Sequence, residues 1–328
     1  MKTTLRHRKN PHWEQEDFGP GSYQGAAERL LTKLRASLQA GAEFPTEKLT
    51  PLLRHEDDEV RSLALDLVEY QNDPAAVPAL LEIAADEDIG LALGAAELLR
   101  YFRNPEADRE LIAGLKHPSL PVRLAAISAL RERRSPVAVE PLVSLLGDIH
   151  VEVRREVVST LANYQREDLL LALRSAIRDG DPTVRRIAVE SLQDFESSAI
   201  FGDLLIALTD ENWQVRRAAT RALGRFPGQA TAFALRTSLE DPEWQVIVEA
   251  LVSLARISAG VDRAILALLH QKMPEIRLAA ATTVGQSNDP HLIPYLAPLL
   301  DDTETAVSKA TRIAIARLTA IQNETNSL

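Results

Sequence analysis

A chain of 328 residues with a formal charge of −10 has no general positive field, a balance that opposes indiscriminate binding to nucleic acid or anionic lipid while leaving room for a local basic face. It contains no cysteine, which excludes disulfides, thiolate metal sites, iron–sulfur ligation and cysteine nucleophiles. Hydrophobic residues make up 45% and aromatic residues only 5%, a palette of Leu, Ala, Val and Ile suited to close helix packing.

Residues 1–22 read as a flexible tail: a basic start with Lys2, Arg6, Arg8 and Lys9, then Trp13 and Phe18, then the break Gly19-Pro20-Gly21-Ser22. Such a segment either docks on its own domain or offers Trp13 and Phe18 to a partner. No apolar stretch follows the basic start as a signal peptide requires. No run approaches the roughly 18 residues of a membrane span, so the expected compartment is the cytoplasm. Residues 23–44 read as a capping segment, because Ala27, Leu30, Leu31, Leu34 and Leu38 share one side of a helix from Gln24 to Leu38.

From 45 to 320 one beat dominates. A hydrophobic residue, usually Val followed by Arg, recurs every 31 residues: Val60-Arg61, Leu91-Ala92, Val122-Arg123, Val153-Arg154, Val184-Arg185, Val215-Arg216 and Val246-Ile247. After one deletion it continues at Ile276-Arg277 and Val307-Ser308. A period of this size marks stacked supersecondary units, each touching only its neighbours. Within a unit, Val184, Ile187, Ala188, Ser191, Leu192 and Phe195 fall at offsets 0, 3, 4, 7, 8 and 11, one stripe of an amphipathic helix. The Val153 unit places Glu156 on that stripe as a misfit. A shorter helix precedes each stripe, and breakers such as Asn72-Asp73-Pro74, Ser135-Pro136 and Asn288-Asp289-Pro290 close the units. Residues 321–328 read as a polar fray.

Five residues before the beat stands Asp86, Asp148, Asp179, Asp210, Asp241 or Asp302, replaced elsewhere by His55, His117 or Gln271. Paired with the Arg after the beat, this carboxylate predicts a ladder in which each Arg reaches the turn of its own or a neighbouring unit. The periodic Arg residues are therefore expected to be structural.

The pattern Asp-x-x-x-x-Val-Arg-x-x-Ala-x-x-x-Leu, preceded by Pro-Leu-Val-x-Leu-Leu, resembles the short HEAT-like repeats named after phycobilisome lyases. The nearest single copy is Glu140-Pro141-Leu142-Val143-Ser144-Leu145-Leu146 with Asp148 and Val153-Arg154-Arg155. The resemblance implies an all-α, right-handed α-solenoid of about nine helical hairpins, an armadillo-like superhelix with second helices lining a concave side. It also implies a range of roles: adaptors, bilin-handling lyase subunits, deoxyhypusine hydroxylase, a DNA glycosylase branch. A di-iron hydroxylase needs several convergent His-Glu pairs, and the chain has only His55-Glu56, in a turn. Trp213 and Trp244 stand 31 apart, each two residues before the beat, a placement that fits related structural turns better than base stacking. No catalytic residue, metal ligand or cofactor is assigned.

Offsets 2, 6 and 10 stand clear of the apolar stripe and sketch the concave face. They place Tyr70 and Tyr101 beside Asp66 and Glu97 in the early units, and Arg155, Arg186, Arg217, Arg221 and Arg225 in the middle. Val248, Val252 and Leu278 follow in the later units. The Arg series suits forked hydrogen bonds to an acidic segment, although Glu152, Glu156 and Glu190 stand ready to neutralise it. The reading is a non-enzymatic scaffold, adaptor or assembly factor that binds another protein, with a tetrapyrrole-handling lyase-type subunit as the alternative and a phosphate or nucleic-acid binder behind it. Changing Arg186, Arg217 and Arg221 together to Glu is expected to abolish capture and leave thermal unfolding nearly unchanged.

Overall fold

The computed structural model describes residues 23–41, 44–102, 104–193, 195 and 198–326. The tail that carries Trp13 and Phe18 lies outside them. The described residues are helical with no strand, and they form two compact units, 1–144 and 145–328.

The first unit opens with the expected helix, Tyr23–Ala40, which packs along Asp58–Gln71. Leu30, Leu31 and Leu34 are buried there, whereas Leu38 is partly exposed. The connection that follows is tied down by Gln71, whose amide accepts from Phe44 N at 3.0 Å and donates to Phe44 O at 2.7 Å. Three hairpins come next: Thr46–Leu52 with Asp58–Gln71, Val77–Ile83 with Ile89–Tyr101, and Ala107–Gly114 with Leu120–Arg133. Helix Val139–Ser144 ends the unit.

The second unit continues the count. Its second helices are Val151–Tyr164, Pro182–Leu192, Trp213–Leu223, Trp244–Arg256, Pro274–Gly285 and Thr305–Asn326, each after the first packed against the one before. Shorter first helices, such as Leu170–Ala176 and Gln229–Thr237, lie between them in sequence. The last helix runs to Asn326, past the polar fray expected from 321 onward.

The beat residues are the anchors of this packing. Val60, Val153, Val184, Val215 and Val246 are fully buried, while Leu91 is partly exposed. The buried face is wider than one stripe, because Val158, Val189, Thr220 and Leu251 at offset 5 are also fully buried. A helix flanked by neighbours on both sides and by its own partner is covered through most of its circumference, which a single amphipathic stripe underestimates. Adjacent second helices are also pinned by hydroxyls: Ser253 Oγ donates to Thr220 O at 3.1 Å, and Thr283 Oγ1 to Leu251 O at 3.2 Å, both buried.

Chain breaks act locally. Asn72 caps helix Asp58–Gln71 with φ of 51°, and Asn288, in the turn beyond helix Pro274–Gly285, has φ of 59°, a left-handed conformation that Asn tolerates. Asp73 and Asp289 then accept from the amides of Ala75 and His291, starting the next 3-10 turn at Pro74 and Pro290.

Candidate partner-binding face

Two sets of arginines stand on the second helices, and the structure separates their roles. The first set follows the beat. Arg154 donates through Nη1 to Asp148 O at 2.9 Å, in the turn of its own repeat. Its Nε and Nη2 form a fork on the Asp179 carboxylate of the next repeat, at 2.7 and 2.9 Å. The same bridge recurs from Arg185 to Asp210, from Arg216 to Asp241 and from Arg277 to Asp302, with Nε–Oδ2 distances of 2.7 Å in each. The acceptor aspartates also order their own turns, since Asp179, Asp210, Asp241 and Asp302 each accept from the amide two residues on. The expected ladder is thus, in the second unit, a chain of guanidinium bridges between successive turns; in the first unit Arg61 pairs instead with Asp58, and Asp86 lies 3.9 Å from Arg54.

Its gaps are paired. At two of the beat positions without Arg, Ala92 and Ile247, the acceptor position of the following repeat lacks Asp and holds His117 and Gln271. A carboxylate without its guanidinium would face desolvation uncompensated, so loss on one side is tolerated with loss on the other. His55 and His117 keep the turn function: their Nδ1 atoms accept from Asp57 N and Ser119 N, each at 3.1 Å. These histidines are therefore turn-formers. No group of three or more potential metal-binding side chains occurs among the described residues.

Burial works against ionisation of Asp179, Asp210 and Asp241, but the fork from the preceding repeat and the turn amide outweigh it and hold each carboxyl below the usual range. Asp302 is lowered chiefly by the fork from Arg277. A carboxyl whose pKa is depressed by folding stabilises the fold above its unfolded value, near 3.9, and loses that contribution as pH falls through the folded value. Urea midpoints of the second unit should be level from pH 7 to about 5 and fall steeply below about 4. Asp241→Ala should flatten that fall, because one proton is then removed from the linkage. A midpoint that already declines above pH 5, or a slope unchanged in the variant, contradicts the ladder as the acid-sensitive element.

The second set comprises the face residues. Arg155, Arg186, Arg217 and Arg221 are half-buried and Arg225 is exposed. Four of them are met by carboxylates: Arg155 by Asp181 at 3.0 Å, Arg186 by Glu190 at 2.6 Å, and both Arg217 and Arg221 by Glu249, at 3.2 and 2.7 Å. Glu249 is the residue that sequence reasoning passed over. It stands at offset 3 of its helix and is 8% exposed, and burial raises its pKa while the two guanidiniums, Arg221 before Arg217, lower it further than burial raises it. The available signal was a carboxylate on the apolar stripe, the same irregularity as Glu156. Because Glu249 is buried against Arg217 and Arg221, reversing those charges would set three carboxylates together. The expected stability of the triple Glu variant is corrected accordingly: it should unfold at lower temperature than the parent.

Arg186, Glu190, Trp213, Gln214, Arg217, Ala218 and Arg221 line a recess of about 200 Å³ between helices Pro182–Leu192 and Trp213–Leu223. In the first unit, Tyr70 and Tyr101 are 57% and 68% exposed, and Leu93 is 65% exposed. Tyr70 lies against the turn at Gly41, where a methyl group would meet its hydroxyl at 2.6 Å. Trp244, by contrast, does not line the recess that Trp213 walls.

The family model for HEAT repeats matches residues 46–109, 78–150, 139–200 and 201–271. The chain therefore belongs to the HEAT-repeat proteins and is an all-α solenoid of that class. No curated protein matches it in sequence. Among solved structures it is similar to Kap95p, whose binding acts on the switch loops of RanGDP, at 14% identity and a TM-score of 0.60 over 90% of this chain and 48% of that one. Importin beta gives 13% identity and a TM-score of 0.56 over 93% and 48%. An engineered protein gives 20% identity over 90% and 94%, with a TM-score of 0.47. The chain spans about half the length of the two importin-type proteins. No helix among the described residues is long and apolar enough to cross a membrane.

Proposed function

We propose that the protein is a non-enzymatic scaffold or assembly factor that holds another protein on the second-helix face, and that its repeats belong to the short, phycobilisome-lyase-like branch of the HEAT family. The observation that carries this reading is the recess lined by Arg186, Trp213, Arg217 and Arg221. Ladder arginines are forked onto aspartates at the turns, whereas among the face arginines Arg186 engages a carboxylate through Nη1 and Arg217 through Nε. Arg155 and Arg225 extend the contact within the second unit, and Tyr70 and Tyr101 supply amphipathic contact area in the first. HEAT-repeat proteins bind other proteins, and Kap95p in its RanGDP structure is one similar example. The matched carboxylates leave little surplus positive charge for tracking a phosphate backbone, which disfavours nucleic acid.

The test compares faces. Affinity capture from the producing cells would use the parent, a second-helix variant with Val252→Asp and Ile313→Asp, and a first-helix variant with Leu171→Ser and Phe233→Ser. All four positions are exposed, at 43%, 63%, 76% and 73%, so each variant should fold. Loss of one stoichiometric partner in the second-helix variant alone, by at least about tenfold, is the expected result. Equal retention by both variants, or loss confined to the first-helix variant, sinks the reading.

A further inference from the structure

The recess has a charge count that specifies its occupant. Three guanidiniums, Arg186, Arg217 and Arg221, face two carboxylates, Glu190 and Glu249. One positive charge remains. Donors remain as well: Arg217 engages only Nε, Arg186 only Nη1, and Arg221 keeps Nη1 unengaged among the described residues. Trp213 and Ala218 complete the wall with apolar surface. A group bearing a single negative charge, planar enough to receive forked N–H donors, fits that balance. A phosphate, with a charge of about −1.5 to −2, would overshoot it.

The next repeat changes character at equivalent positions. Offsets 2 and 6 are Arg217 and Arg221 on helix Trp213–Leu223, and Val248 and Val252 on the adjoining helix Trp244–Arg256. Val252 is 43% exposed and Val248 is half-exposed. Packed helices lie about 8–10 Å apart, and an extended chain advances about 3.3 Å per residue. The recess lies between helices Pro182–Leu192 and Trp213–Leu223, about one and a half helix spacings, or about 12–15 Å, from helix Trp244–Arg256, so a strand-like segment crosses to the second site in about four residues, and positions i and i+4 of a strand share one face.

We propose that the recess is an anchor for a Glu or Asp side chain of the partner, and that the partner segment is extended and carries an apolar residue four positions from that carboxylate, on the same face, lying on Val248 and Val252. This deepens the scaffold reading and rests on it. The carboxylate takes the unengaged N–H groups of Arg186 and Arg217 while Glu249 continues to hold Arg217 and Arg221. The apolar residue supplies contact area that charge alone would not.

The test uses the full chain with 15N-labelled tryptophan indoles, the Trp213 signal being assigned by Trp213→Phe. The probes are two octapeptides, Gly-Ser-Glu-Ser-Ser-Ser-Leu-Gly and its reverse, because the chain direction is left to experiment. One of them should shift the Trp213 indole and saturate. Replacing its Glu by Gln should weaken binding about tenfold, as expected for a charge-assisted hydrogen bond. Moving Leu to the position beside Glu should weaken it severalfold, and Val252→Asp should do the same with the thermal unfolding of the protein unchanged. A phosphoserine in place of Glu should bind no tighter. Equal binding of the Gln peptide, much tighter binding of the phosphoserine peptide, indifference to the Leu position, or no shift with either octapeptide overturns the proposal. Any of these results, obtained while Val252→Asp with Ile313→Asp still abolishes partner capture, removes the anchor and keeps the scaffold. Loss of the face dependence in capture removes the scaffold reading itself.

Discussion

Asp241→Ala is expected to lower the stability of the second unit by about 3 kcal/mol, the lower part of the range for removing one partner from a buried ion pair. The side chains of Arg216 and Asp241 are only 13% and 8% exposed, so water does not replace the lost partner freely. The substitution strands the Nε and Nη2 groups of Arg216, and it also removes the acceptor for Glu243 N, which opens the helix Trp244–Arg256 at its first turn. At roughly 2–4 °C per kcal/mol for a body of this size, the melting temperature should fall by about 6–12 °C. Asp241→Asn retains a turn acceptor and loses the charge, so it should fall between parent and Ala. Thermal unfolding followed by circular dichroism decides the matter. A loss below about 1 kcal/mol, the scale of an exposed pair, would reduce the ladder to decoration.

Gly285→Leu should be comparably damaging for a steric reason. A Cβ at Gly285 would lie 2.5 Å from the Ala314 Cβ and 2.8 Å from the Ala314 Cα. The backbone of Thr305–Asn326 must then move, and forced overpacking costs about 1–3 kcal/mol and occasionally more. Because repeats couple only to their neighbours, the damage should concentrate at the end of the array. Amide exchange should accelerate across Thr305–Asn326 while Val151–Tyr164 keeps its protection. Gly285→Ala with Ala314→Gly should recover only part of the loss, since the added methyl group still presses on the backbone at residue 314. Gly180→Ala, where a Cβ meets nothing within 4 Å, is the neutral control. Uniform exchange along the unit after Gly285→Leu would contradict nearest-neighbour stacking.

Much of this was legible in one dimension. The beat from Val60 to Val307 marks the second helices, and Asp with Arg at fixed spacing marks the bridge between repeats. Both are periodic, so each repeat is an independent reading of the same rule. His55 and His117 could be aligned with the aspartates, but their use of Nδ1 as the turn acceptor depends on a side-chain orientation that spacing does not contain. At the C-terminal end a helix whose inner side is held by Val307, Ala314 and Leu318 continues past its last buried turn into the polar stretch Gln322 to Glu324, a continuation that polarity alone does not signal.

The face divides the same way. Offsets 2, 6 and 10 identify which residues leave the stripe, and Arg186, Arg217 and Arg221 were found by that rule. Their shared counter-charge was not, because Glu249 lies 32 residues from Arg217 and 28 from Arg221, and nothing local distinguishes it from a misplaced surface carboxylate.

The amino-acid sequence by itself determined the helical hairpin, its period and the arginine-to-aspartate rule, because these repeat and depend on short-range patterning. Only the tertiary structure decided how much positive charge the face retains. Net charge at a surface is set by which side chains of neighbouring helices meet, and that pairing exists only once the helices are stacked.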